Sequence, residues 1–203
     1  MFALIMAGGK ASRLGMGEKA LARIGDRPLI SYVLTAVIDA GLIPIVIVSP
    51  RTPYTTNYCR VQNIEWICTD GRGYVEDIGQ AVTVLSITGP VLTICADLPG
   101  ITAYHIKTVL DRYNKSGCPA CSVWVKPAAG NFIHSSNGQL SATKDENSIP
   151  GIPVGLNIIQ GDLIAEEQNE IQIILSDPLL VLNINTREDM VAAEKMLRTS
   201  KSV

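Results

Sequence analysis

Short apolar runs alternate along this chain with stretches of helical periodicity, and that alternation restricts the fold more than any other feature. Phe2–Ala7, Ile43–Val48, Ile64–Cys68, Pro90–Cys95, Cys121–Val125 and Val154–Ile159 have the length and composition of strands, and a shorter late run covers Leu179–Leu182. Pro28–Gly41 places apolar residues at helical intervals, with proline near its start and glycine at its stop. Val75–Leu85, Ala103–Asn114 and Thr186–Leu197 read the same way, and in the last of these Thr186 and Asp189 have the spacing of a capping box. Strands that alternate with helices pair through crossovers, so the expected class is α/β with a mostly parallel sheet flanked by helices. The 203 residues suit one domain spanning 1–203.

Such sheets bind ligands outside the carboxyl ends of their strands. The first apolar run breaks at that place into Gly8-Gly9-Lys10-Ala11-Ser12-Arg13-Leu14-Gly15, with Lys19 just beyond. Glycine lets the backbone approach a phosphate closely. Backbone N–H groups then face the anion, while Lys10, Arg13 and Lys19 supply positive charge. The spacing is neither G-x-G-x-x-G nor G-x-x-x-x-G-K-[ST], so neither common phosphate motif applies. A net charge of −2 argues against a nucleic-acid binder, which should carry a basic face. No apolar run is long enough to span a bilayer, and Phe2–Ala7 is too short for a signal-peptide core. Five cysteines, an odd number, fit a reduced cytoplasmic protein better than a disulfide framework.

Ala7-Gly-Gly-x-x-Ser-Arg-Leu-Gly15 with Lys19 resembles the signature of nucleotidyltransferases that move a nucleoside monophosphate from an NTP onto a phosphorylated acceptor. Asp70-Gly-Arg-Gly-Tyr-Val-Glu-Asp77, Cys95-Ala-Asp-Leu98, Pro153-Val-Gly-Leu-Asn157 and Leu182-Asn-Ile-Asn-Thr-Arg-Glu-Asp189 narrow the likeness. With them the chain resembles the archaeal GTP:adenosylcobinamide-phosphate guanylyltransferases of cobalamin assembly, nearly end to end and less so over residues 110–150. The resemblance implies a single Rossmann-like nucleotidyltransferase domain, in a family often dimeric. Its members transfer GMP from GTP to adenosylcobinamide phosphate, giving adenosylcobinamide-GDP and pyrophosphate. Molybdenum-cofactor guanylyltransferases share the first loop and the Asp97 pattern, but carry a Gly-Pro-Leu-Ala-Gly-like stretch where this chain has Gly71–Asp77. Most sugar-phosphate nucleotidyltransferases are longer. A non-catalytic GTP or corrinoid sensor is the alternative of another class, and intact Lys19 and Asp97 speak against it.

The same resemblance distributes the site. Ala7, Gly8 and Gly9 would run along the GTP phosphates, Lys10, Ser12 and Arg13 would meet the β- and γ-oxygens, and Lys19 would face the α-phosphate. Lys19, Arg13 and Asp97 are the expected catalytic groups. Asp97 follows a strand at the ligand edge, where a hard carboxylate suits Mg²⁺ held together with GTP; the rival reading is a helix N-cap before Leu98-Pro99. Asn185 is a second metal ligand or phosphate contact, or a turn ahead of the last helix. Asp70, Gly71, Gly73, Glu76 and Asp77 form a glycine-punctuated helix start that could read guanine. A carboxylate there accepts from N1–H and N2–H together, and the plain alternative is first-turn acids that favour the helix dipole. Gly155 and Asn157 lie in a strand, where a glycine marks close approach of a ligand or a bulge.

Cys118-Pro-Ala-Cys121 has neither the helix start of a redox pair nor the second pair of a zinc site, so its cysteines are read as incidental. His105 and His134 stand alone in the sequence. The loop-rich stretch Lys126–Gly151 is an excursion over the sheet, either a flap over the acceptor or a surface loop.

Overall fold

The computed structural model describes residues 1–9, 17–126, 151–182, 184 and 186–200. In chain order the elements are β1 (Phe2–Met6), β2 (Arg23–Ile24), β3 (Arg27–Pro28), α1 (Leu29–Asp39), β4 (Ile43–Val48), α2 (Pro53–Val61), β5 (Trp66–Cys68) and α3 (Tyr74–Val84). There follow β6 (Pro90–Cys95), α4 (Ala103–Ser116), β7 (Ala120–Val125), β8 (Ile152–Gln160), β9 (Glu170–Leu175) and α5 (Arg187–Ser200). Among the described residues seven strands form one sheet in the order β5-β4-β1-β6-β8-β7-β9, while β2 and β3 pair as a separate small hairpin. The expected mostly parallel sheet is present. β5, β4, β1 and β6 run parallel, β8 enters antiparallel between β6 and β7, and β9 is parallel to β7.

Ala3, Leu4 and Ile5 of β1 are all fully buried, as a central strand covered on both faces requires. On one face Ala3, Ile5, Leu92, Ile94, Leu156 and Ile158 pack against Ile30, Val33 and Val37 of α1 and Ile106 and Val109 of α4. On the other, Leu4, Ile45, Ile47 and Val91 pack against Ile78, Ala81 and Val82 of α3. The chain leaves β1 toward β4 and β5, then returns to β6 on the opposite side of β1. The loops after β1 and β6 therefore flank a switch point, where open α/β sheets hold ligands.

Two local expectations change. Leu179–Leu182 is not a strand: Pro178–Val181 forms a 3-10 turn, with the Leu179 N–H donating to Asp177 Oδ1 at 2.8 Å. Proline at its first position presets that turn and removes a ladder donor. The last strand is instead Glu170–Leu175, whose exposed edge interrupts its apolar run with Glu170 and Gln172. Gly155, at φ +78°, sits in an irregular register between β7 and β8, and a Cβ there would come within 2.8 Å of Cys95 Sγ. The glycine is a bulge residue closing on a neighbouring side chain. The capping box at α5 forms as expected, with Thr186 N–H donating to Asp189 Oδ2 and Asp189 N–H to Thr186 Oγ1.

Candidate functional site

A cavity of ≈ 340 Å³ opens at the carboxyl ends of β1, β4, β5 and β6. That volume lies within the range of small-ligand sites. Met6–Gly9 line it from β1, Arg51 from the loop after β4, Gly71–Tyr74 and Asp77 from the start of α3, Cys95–Asp97 from β6, and Lys19 with Ala20 from the turn before β2.

The walls are drawn together by Ser49, which is buried at the end of β4. Its hydroxyl donates to the Gly8 carbonyl at 2.8 Å. Gly71 has φ +69°, and a Cβ there would stand 3.0 Å from Ser49 Cβ. Glycine is required at Gly71 both by the left-handed backbone and by that close approach. The Gly8 loop and the Gly71 turn therefore close on one small side chain.

Lys19 Nζ forms an ion pair with Asp97 Oδ2, the two side chains being 22% and 14% exposed. The pair joins the strand-end carboxylate to the cation after the glycine loop. Asp97 is not a helix cap: α4 begins six residues later, with Thr102 as its N-cap. Asp97 Oδ1 is buried without a hydrogen-bond partner. A buried carboxylate oxygen in that state calls for a cation or donor to complete the site. Among the described residues no three His, Cys, Asp or Glu side chains form a metal cage. One carboxylate with substrate oxygens is nevertheless a common way to hold Mg²⁺, so the donor set fits a metal that arrives with a nucleotide.

The acids of the 70–77 segment separate. Asp77 is buried, and its Oδ1 accepts from the N–H groups of Gly71 and Arg72 at 3.0 and 3.2 Å, so it shapes the turn that lines the cavity. Asp70 pairs with Arg72 at 3.0 Å and bonds Gln80, and Glu76 packs against Gly73; neither lines the cavity. Arg51 and Arg72 do line it, and the sequence reading did not single them out. Asn157 is one step from the cavity: its Nδ2 donates to the Tyr74 hydroxyl at 3.3 Å, which also meets Thr93 Oγ1 at 3.2 Å. Burial, with Cys95 nearby, pushes the Tyr74 hydroxyl up to about 12. Burial and the Asp97 charge push the Cys95 thiol up to about 12, so both groups are neutral at physiological pH.

Ala7, Gly8, Gly9, Lys19, Gly71, Gly73, Asp77 and Asp97 thus share one cavity. Lys10, Ser12, Arg13 and Asn185 lie outside the described residues, as do His134 and residues 127–150 of the loop-rich stretch. Cys118 and Cys121 form no disulfide, and burial raises the Cys121 thiol to about 11, so that thiol is protonated at neutral pH. His105 is not alone: buried in the first turn of α4, it bonds Thr102 and meets Asp177 Oδ2 at 3.0 Å. That contact ties the helix after the Asp97 loop to the 178–181 turn.

Residues 3–147 match the family model described as a MobA-like NTP transferase domain. The chain is 31% identical over 204 residues to the adenosylcobinamide-phosphate guanylyltransferase of Methanocaldococcus jannaschii, covering 98% of each chain. A probable molybdenum cofactor guanylyltransferase of Thermococcus sibiricus is 27% identical over 122 residues, covering 60% of each. Among solved structures, CMP:2-keto-3-deoxy-manno-octonic acid synthetase complexed with CTP superposes with a TM-score of 0.72 over 98% of both chains, at 14% identity, which is a likeness of fold.

Proposed function

The chain belongs to the MobA-like NTP transferase family, and on that premise we propose that it transfers GMP from GTP to adenosylcobinamide phosphate, releasing pyrophosphate. The observation that carries this reading is the end-to-end similarity to an adenosylcobinamide-phosphate guanylyltransferase. The molybdenum cofactor guanylyltransferases are the alternative. The likeness to them stops at 60% of the chain, as it would if only nucleotide handling were shared. The reading includes a cytoplasmic location, supported by five free cysteines; no helix among the described residues is long and apolar enough to cross a membrane.

In this reading the triphosphate lies along Gly8 and Gly9, whose backbone N–H groups face the phosphate oxygens. The acceptor's phosphate oxygen attacks the α-phosphorus in line, the bond to the β-phosphate oxygen breaks, and pyrophosphate leaves. A phosphate monoester is already anionic near neutral pH, so the residues need to align and neutralise rather than remove a proton. Lys19, released from Asp97 as nucleotide enters, places its ammonium against the α-phosphate oxygens. Asp97, with its unpartnered Oδ1, and Asn185 would hold Mg²⁺ together with phosphate oxygens of GTP. The metal, when bound, neutralises phosphate charge. Arg13, with Lys10 and Ser12, would meet the pyrophosphate end.

For base choice the cavity offers donors on Arg51 and Arg72, which match guanine O6 and N7, while Asp77, its Oδ1 taken by the Gly71 and Arg72 amides, shapes the turn beside them. Adenine presents an amino donor where guanine presents O6. GTP is therefore expected to bind at least about 10-fold tighter than ATP, on the order of 1.4 kcal/mol. Calorimetric titration of both nucleotides checks this, and equal affinities would contradict guanine reading.

A further inference from the structure

The first turn of α2 is capped from a distant part of the chain. Its local N-cap residue, Thr52, makes no capping bond, because its hydroxyl accepts from Ser49 N–H at 3.0 Å and donates to the Ser49 carbonyl at 3.1 Å. Pro53 has no N–H. The next two amides, those of Tyr54 and Thr55, donate to Glu18 Oε1 and Oε2 at 2.8 and 2.6 Å, and the buried Thr55 hydroxyl donates to Oε2 at 2.5 Å. Both carboxylate oxygens are thus engaged at a helix N-terminus, where the amides and the dipole favour negative charge. A surface capping need could be met by a local serine or aspartate. Here it is met by the residue immediately before Lys19, across 36 and 37 positions of sequence.

We propose that Glu18 is a positioning residue for Lys19: clamped on the first turn of α2, it holds the lysine at the cavity edge beside Asp97. The turn Lys19–Leu21 follows Glu18 directly, so the carboxylate fixes the start of the segment that carries the ammonium. The same clamp ties that segment to the Ser49–Thr52 loop, which supplies Arg51 to the cavity lining and holds Gly8 through Ser49. Glu18 therefore sets the distance between the phosphate-facing cation and the wall that closes on the nucleotide. It touches no substrate itself. The inference rests on the reading that Lys19 serves nucleotidyl transfer.

The test is a double-mutant cycle of Glu18→Ala and Lys19→Ala, read on guanylyl-transfer kcat and on calorimetric GTP affinity. Glu18→Ala is expected to lower kcat about 10- to 100-fold, the scale on which misplacing a catalytic group acts. In the Lys19→Ala background it is expected to add no further loss, in kcat or in affinity. Glu18→Gln, which keeps one acceptor oxygen, should fall between wild type and Glu18→Ala and serves if the alanine variant does not fold. Losses that multiply across the cycle, or an unchanged kcat with a lowered Tm, would reduce Glu18 to a helix cap and overturn the proposal. A wild type that binds GTP yet transfers nothing to adenosylcobinamide phosphate would overturn the acceptor reading instead, and the affinity cycle would still decide for or against the clamp.

Discussion

Lys19→Ala lowers guanylyl-transfer turnover by about 10²- to 10³-fold, the cost of deleting one preorganised group that faces developing charge. The fold changes little. The Lys19–Asp97 pair opens onto the cavity but is only 22% and 14% exposed, so its loss costs about 1–3 kcal/mol, between the exposed and the buried cases. In a chain of this length that is a Tm shift of roughly 2–12 °C. The two measurements are kcat at saturating GTP and a thermal melt. The disparity between them identifies Lys19 as functional, because a structural ion pair would move Tm and leave turnover near its wild-type value. Unchanged turnover would remove Lys19 from the chemistry and with it the assigned α-phosphate contact.

The second large effect is on stability. Gly100 lies between Asp97 and α4, and a Cβ built there overlaps the Leu179 carbonyl oxygen, with the carbonyl carbon at 2.7 Å and Leu179 Cβ at 2.9 Å. Its obstacle is backbone, which cannot swing aside as a side chain does. The 178–181 turn is further held by Asp177, which caps it and also meets His105. Gly100→Ala must therefore displace a turn fastened at its start, at a cost of about 3 kcal/mol. The expected drop in Tm is roughly 6–12 °C. A Tm within about 2 °C of wild type would mean that the turn yields freely.

What the sequence made legible follows from the range of the interactions involved. β1 and β6 were readable because buried parallel strands need unbroken apolar runs, and Phe2–Met6 and Pro90–Cys95 are such runs. Asp97 and the glycine loop were readable because their place beside strand ends puts them at the ligand edge without knowledge of any partner. Glu18, Ser49 and Arg51 were not, because their meaning lies in groups distant along the chain: Ser49 bonds Gly8 across 41 positions, and Glu18 caps a helix whose first amides lie 36 and 37 positions away. A signal did exist for Glu18, since Thr52-Pro53 opens a helix with no acid in its first turn. Asp70, Glu76 and Asp77 are equal candidates for a base reader in the sequence, and the commitment of Asp77 Oδ1 to the Gly71 and Arg72 amides is a detail of turn geometry that composition does not encode. The strand assigned to Leu179–Leu182 reflects the weakness of short apolar runs as a signal, for which Pro178 and Asp177 were the better guides.

Guanylyl transfer to a phosphorylated corrinoid is tested most directly by incubating the protein with GTP, Mg²⁺ and a panel of phosphorylated acceptors while following pyrophosphate. The panel should hold adenosylcobinamide phosphate, the molybdenum cofactor precursor and a sugar phosphate. The account predicts one pyrophosphate released per adenosylcobinamide-GDP formed, with adenosylcobinamide phosphate as the preferred acceptor. Pyrophosphate release with the molybdenum cofactor precursor and none with adenosylcobinamide phosphate would contradict it.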